Sequence, residues 1–210
     1  MSKYKVKEIY FTLQGEGART GRAAVFLRFT GCNLWSGREE DRSDAVCQFC
    51  DTDFIGIDGV EGGMYTADGL AAKVDSLWPE SQDNKYVICT GGEPLLQLDT
   101  NLIDTLHSKG FEIGIETNGT LPVPEGIDWI CVSPKANTTV VVNKGNELKL
   151  VVLQENFLPD LFQNLKFDHY YLQPMDGPCI KEFTIWAVDY CMRYPKWKLS
   201  LQTHKMLGIR

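Results

Sequence analysis

The chain has 210 residues, of which 43% are hydrophobic and 23% charged. That balance suits one soluble domain with a real core and excludes a disordered or fibrous chain. A net charge of −7 disfavours nucleic acid as a partner, because an acidic surface repels phosphate.

From the N-terminus, residues 1–8 hold no apolar signal segment, and no uncharged apolar run approaches the ~18 residues a membrane span needs. The expectation is a cytoplasmic protein with no membrane partner. Residues 24–29, β-branched and aromatic, predict a buried strand. A helix follows over 65–78, with Thr66 or Asp68 as its cap, then a strand at 85–89. The next helix, 98–108, is closed by Gly110. Strands are predicted at 111–115, 129–132, 148–153 and 169–172. Phe183, Ala187, Tyr190 and Tyr194 recur at helical spacing over 180–194, and a last short strand falls at 198–201.

Strand–helix alternation predicts a mostly parallel α/β sheet. Four polar segments follow predicted strands: Thr90-Gly-Gly-Glu-Pro94, Glu116-Thr-Asn-Gly119, Ser133-Pro-Lys135 and Gln173-Pro-Met-Asp176. One such segment alone reads as a turn. Four in succession predict a shared pocket at the C-terminal ends of the strands, where parallel α/β barrels bind ligands. A full eightfold barrel needs ~250 residues, so the expected architecture is a single domain, 1–210, built as a partial (β/α) barrel.

Seven cysteines are present. Cys89, Cys131 and Cys191 lie in apolar patterns and read as core residues. Cys32, Cys47 and Cys50 stand in a C-x14-C-x2-C spacing just after the first strand, with an insertion about 33–46 between the first two. Three thiolates from one loop suit a soft metal. Structural zinc would want a fourth ligand, and no further Cys or His lies nearby. A redox pair would leave Cys32 without a role. A four-iron, four-sulfur cluster on three cysteines fits the count and keeps one iron open, while a zinc-stabilised binding module stays as the alternative of another class.

The cysteine triplet with Phe49 before its last member, followed by Gly91-Gly92-Glu93-Pro94, resembles the radical S-adenosylmethionine (SAM) superfamily. That superfamily usually spaces its cysteines C-x3-C-x2-C, and the longer first gap is similar to a variant among the 7-carboxy-7-deazaguanine synthases. Thr12-Leu-Gln-Gly-Glu-Gly17, Arg28-Phe-Thr-Gly-Cys-Asn-Leu-Trp35, Cys50-Asp-Thr-Asp53 and Gln202-Thr-His-Lys205 extend the resemblance over nearly the whole chain. It implies a carbon–nitrogen lyase of queuosine and 7-deazapurine biosynthesis. The cofactors implied are a [4Fe-4S] cluster on Cys32, Cys47 and Cys50, SAM used catalytically, and Mg²⁺ at Thr52. An activating enzyme that makes a glycyl radical would share the cluster but act on a protein.

The resemblance also assigns residues. Phe49, Cys50, Asp51, Gly91, Gly92, Glu93 and Asn118, with Ser133, Pro134 and Lys135, are expected around SAM. A 6-carboxy-5,6,7,8-tetrahydropterin substrate needs both donors and acceptors. Leu13, Gln14, Gly15, Glu16 and Thr90 are expected to meet it, with Glu116 also counted as catalytic. Gln173, Pro174, Met175, Asp176 and His204 complete that set, and Arg28 suits the carboxylate. The terminal carboxylate of Arg210 is a further candidate. A homodimer is implied by the family. Arg38 and Arg42, in the otherwise solvated insertion, are candidates to dock an acidic electron donor such as flavodoxin.

Overall fold

In the computed structural model, residues 3–79 and 83–210 are described. The strands are β1 (Tyr4–Leu13), β2 (Ala23–Phe29), β3 (Gly63–Tyr65), β4 (Tyr86–Gly91), β5 (Glu112–Thr117), β6 (Trp129–Val132), β7 (Lys144–Val152), β8 (Lys166–Pro174) and β9 (Trp197–Leu199). The helices are α1 (Ala67–Leu77), α2 (Thr100–Ser108), α3 (Ile180–Arg193) and the short α4 (Thr203–Leu207). All nine strands form one sheet in the order β3-β1-β2-β4-β5-β6-β7-β8-β9. From β2 to β9 every pairing is parallel, while β1 is antiparallel to both β2 and β3. The sheet stays open, with β3 and β9 at its edges, as expected of a partial barrel.

Period-2 alternation sorts each strand into two faces. The apolar set faces the helices. Val25, Leu27, Val87, Cys89, Ile113 and Ile115 pack with Leu70, Val74, Leu102 and Leu106 of α1 and α2. Leu148, Leu150, Val152 and Leu172 pack with Ala187 of α3. The residues between them point to the inner face, and there the strands carry Arg28, Thr90, Glu116, Cys131, Lys149 and Gln173. The expected burial of Cys89 and Cys131 holds, with both at 1% exposure or less.

Three expectations on elements change. The first helix begins at Ala67, capped by the Thr66 hydroxyl accepting from the Gly69 N–H, because Tyr65 is taken into β3. The second helix begins at Thr100, because the Asp99 carboxylate accepts from the Leu102 N–H and caps it there. The first strand of the chain was not expected at all. In β1, Tyr4, Val6 and Ile9 are buried, but a register shift between Val6 and Glu8 breaks the strict alternation that sequence reading relies on.

Among the described residues no helix is long and apolar enough to cross a membrane.

Candidate active site

The inner face and the strand ends enclose two cavities. The smaller, about 70 Å³, is lined by all three cysteines of the triplet together with Gly92, Asn118 and Lys135. Three of the four polar segments expected to share a pocket, those after β4, β5 and β6, meet the cysteines that follow β2 here; the fourth, 173–176, does not. Gly92 is pressed against the chain that carries the first cysteine: a Cβ there would lie 2.2 Å from the Gly31 carbonyl oxygen and 2.7 Å from the Cys32 Cβ. Gly91, at φ +139, would meet the Phe29 carbonyl oxygen at 2.3 Å. Both positions therefore need glycine.

Glu93 is fully buried behind this wall and accepts from the Leu95 N–H (3.0 Å), the Thr117 hydroxyl (2.8 Å) and the Asn118 N–H (2.8 Å). It orients the turn from within and does not line either cavity. The Lys135 ammonium donates to the carbonyl (2.6 Å) and hydroxyl (2.9 Å) of Ser133 and lies 6.0 Å from the Phe49 ring centre. Burial pulls the Lys135 pKa down, and burial pushes the Cys32 and Cys47 thiols up. Burial thus favours the thiol over the thiolate at both positions.

All seven cysteines are free thiols. Among the described residues no three His, Cys, Asp or Glu side chains converge to hold a single metal ion. The three thiols instead stand around a shared space. Three thiols and, among the described residues, no fourth Cys, His, Asp or Glu line it, one ligand short of a closed tetrahedral zinc site.

The larger cavity, about 340 Å³, adjoins the first through one peptide step, since Cys50 lines the smaller and Asp51 and Thr52 the larger. Its wall includes the expected Leu13, Gln14, Gly15, Glu16, Arg28 and Thr90, and also Glu116, His204 and Arg210. Arg28 is held by Glu8, which accepts from Nε at 2.9 Å, and by the Tyr10 hydroxyl, which accepts from Nη2 at 3.1 Å. The fork expected to grip a carboxylate is thus partly occupied, and Nη1 is the nitrogen left to a ligand. The Arg210 guanidinium stands 3.5 Å from Glu8, and an oxygen of the Arg210 terminal carboxylate accepts from the Thr12 hydroxyl at 2.9 Å. His204 packs on Gly15, where a Cβ would lie 2.3 Å from its Nδ1. Burial lowers its pKa against the opposing charge of Glu16, which favours the neutral ring.

The loop 173–176 is placed differently. Gln173 is buried and accepts from the Ser200 hydroxyl (3.0 Å), Pro174 ends β8, and Asp176 is paired with Lys205 at 2.6 Å. With Met175, these residues stand outside the lining of both cavities. Lys205 also reaches Asp51 (2.6 Å) and so ties this loop to the cluster loop. Arg42 turns inward: it donates to the carbonyls of Gln48 (2.8 Å) and Cys50 (3.0 Å), pairs with Glu39 and stacks over Trp35 at 4.1 Å. Arg38 stays exposed on the surface.

Sequence reading missed Lys7, Glu8 and Tyr10 on the larger cavity, because β1 was missed with them. It also passed over Glu147 and Lys149 on β7, which read as charges in an otherwise apolar strand. Their period-2 spacing opposite Leu148 and Leu150 was the available signal.

No family model matches the chain. It is similar to the 7-carboxy-7-deazaguanine synthase of Bradyrhizobium diazoefficiens, at 61% identity over 208 residues and 99% of each chain. The synthase of Burkholderia multivorans is 59% identical over 207 residues, covering 98% of this chain and 99% of the relative. That of Bacteroides thetaiotaomicron is 42% identical over 206 residues, 98% of each. The crystal structure of QueE from Escherichia coli matches the fold with a TM-score of 0.71 at 26% identity, covering 95% of this chain and 94% of that one.

Proposed function

The chain belongs to the 7-carboxy-7-deazaguanine synthase family, and from that premise we propose that it contracts the ring of 6-carboxy-5,6,7,8-tetrahydropterin to 7-carboxy-7-deazaguanine. Ammonia leaves, and SAM is restored after each turnover. Enzymes of this family are radical SAM lyases of queuosine biosynthesis, and Cys32, Cys47 and Cys50 would hold the [4Fe-4S] cluster. When bound, cluster and SAM supply one-electron chemistry that generates a hydrogen-abstracting adenosyl radical.

The chain's own residues do the rest. Gly91 and Gly92 let backbone approach the methionine end of SAM, while Lys135 and Ser133 offer positive charge and a hydroxyl to its carboxylate or ribose. Asn118, on the smaller cavity, and Phe49 and Asp51, on either side of Cys50, are the further SAM contacts in this reading. Glu16 and Glu116 are acceptors for the N–H groups of the pterin edge, and Gln14 serves as a mixed donor and acceptor. Arg28 offers its free nitrogen to the substrate carboxylate. Thr52, on the wall of the larger cavity, would hold Mg²⁺ through its hydroxyl, an oxygen donor of the kind this hard cation prefers.

The observation that supports this reading most directly is the step from Cys50 to Thr52, which sets the cysteine cavity beside a pocket lined by carboxylates and an arginine. The test is anaerobic incubation of reconstituted protein with SAM, a reductant, Mg²⁺ and the carboxytetrahydropterin, followed by mass spectrometry. The expected product is the carboxydeazaguanine with no net loss of SAM. SAM cleavage without that product would move the chain to another radical SAM reaction, and colourless zinc protein would remove the cluster altogether.

A further inference from the structure

Strand β7 sends two ionisable side chains onto the inner face while Leu148 and Leu150 face the helices. Lys149 is 3% exposed. Its ammonium donates to Glu16 Oε2 at 2.7 Å and to Glu116 Oε2 at 2.9 Å. The other oxygen of each carboxylate accepts from an amide: Glu16 Oε1 from Gln202 (2.9 Å) and Glu116 Oε1 from Gln14 (3.1 Å). Gln14 closes the ring by accepting the Glu16 backbone N–H at 3.1 Å. Two residues before Lys149, Glu147 accepts from the Ala18 N–H at 3.0 Å and lies against Gly17, so the same strand anchors the loop that carries Glu16.

Glu16 and Glu116 line the larger cavity; Lys149 and Glu147 do not. Taking an ammonium and carboxylates out of water is costly, and a methionine of similar length would fill the volume without that penalty. A purely structural role therefore gives no reason for the charge. Each oxygen of Glu16 thus accepts one hydrogen bond and keeps a lone pair for a ligand, while Glu116 holds Lys149, Gln14 and, behind them, the buried Cys131 thiol.

We propose that Lys149 is a positioning residue for the reaction: it acts through Glu16 and Glu116, fixing both carboxylates so that they accept the N–H edge of the pterin. The proposal rests on the substrate reading above, and its consequence is confined to the substrate side of the site. In the reconstituted holoenzyme, Lys149→Met raises the KM for the carboxypterin by about 30-fold or more, with iron content and SAM affinity unchanged. Lys149→Arg, which keeps a cation and two donors, restores KM to within about fivefold of the parent. A Met variant with KM within about threefold of the parent, or an Arg variant no better than Met, overturns the assignment. Should Lys149→Met fail to fold, the double variant Lys149→Met/Glu147→Leu removes the cation with the carboxylate that lies off the cavity, and the same KM rise is expected. If the parent itself makes no product, the substrate reading falls and calorimetric binding of pterin-6-carboxylate decides about Lys149. Binding to the parent that Lys149→Met abolishes supports the role; binding equal in both, or absent from both, refutes it.

Discussion

Gly92 admits no side chain without moving the backbone that carries Cys32. Gly92→Ala is therefore expected to lower iron and sulfide bound per chain after anaerobic reconstitution by about half or more, read by colorimetric assay, while far-ultraviolet dichroism stays unchanged. Glu16 makes a different kind of prediction. Burial alone would raise its carboxyl pKa, but the Lys149 ammonium and the hydrogen bonds from Lys149 and Gln202 outweigh burial and pull it from 4.5 to about 2. A carboxyl depressed in the folded state contributes stability above its unfolded pKa and loses it as pH falls toward the folded value. Between pH ~4.5 and ~2 the parent should lose stability more steeply than Glu16→Gln, measured by urea unfolding at stepped pH. The proposed Mg²⁺ site is tested at Thr52, on the wall of the larger cavity. Thr52→Ala should raise the Mg²⁺ concentration for half-maximal activity about tenfold, and identical titrations would remove it as a ligand.

At the scale of elements, the cluster loop is organised by one guanidinium. Arg42 joins Trp35, Glu39 and the carbonyls of Gln48 and Cys50, so the insertion braces the Cys47–Cys50 segment from outside. Arg42→Ala is expected to speed loss of the cluster's visible absorbance in air by roughly threefold or more, with thermal stability almost unchanged because the ion pair is on the surface. Retention at the parental rate would show that this brace does not protect the cysteine segment. Elements with clean periodicity were legible in the sequence: β6 and the core of β2, β4 and β5 follow from β-branched runs, and α3 from its spacing. Strand β1 was not, because lysines and a bulge interrupt its pattern. The inward turn of Arg42 was hidden for another reason. A run of charges has no periodicity to say which member folds back.

For the whole molecule, one open sheet carries two apolar layers against its helices, one around α1 and α2 and one around α3. Leu102 and Leu150 are fully buried, one in each layer. Leu102→Ala and Leu150→Ala should each cost about 2–5 kcal/mol. Because β5, β6 and β7 are hydrogen-bonded neighbours, each loss is expected to shift a single unfolding transition seen alike by far-ultraviolet dichroism and tryptophan fluorescence. Two separated transitions would divide the chain into independent units.

The order of chemistry along the chain was decided by sequence alone: three cysteines, a glycine pair, carboxylates and a lysine after successive strands, in a pattern specific enough to name the family. Local propensity and spacing suffice for that, because each motif occupies a turn its own residues dictate. Which of those motifs share a cavity was decided only by the tertiary structure. Curling of the sheet brings Gln14, Arg28, Thr90 and Glu116 onto one wall and leaves the 173–176 loop tied to Ser200 and Lys205 instead. Alternation along β7 already sets Glu147 and Lys149 opposite Leu148 and Leu150, but only the fold brings that face against Glu16 and Glu116.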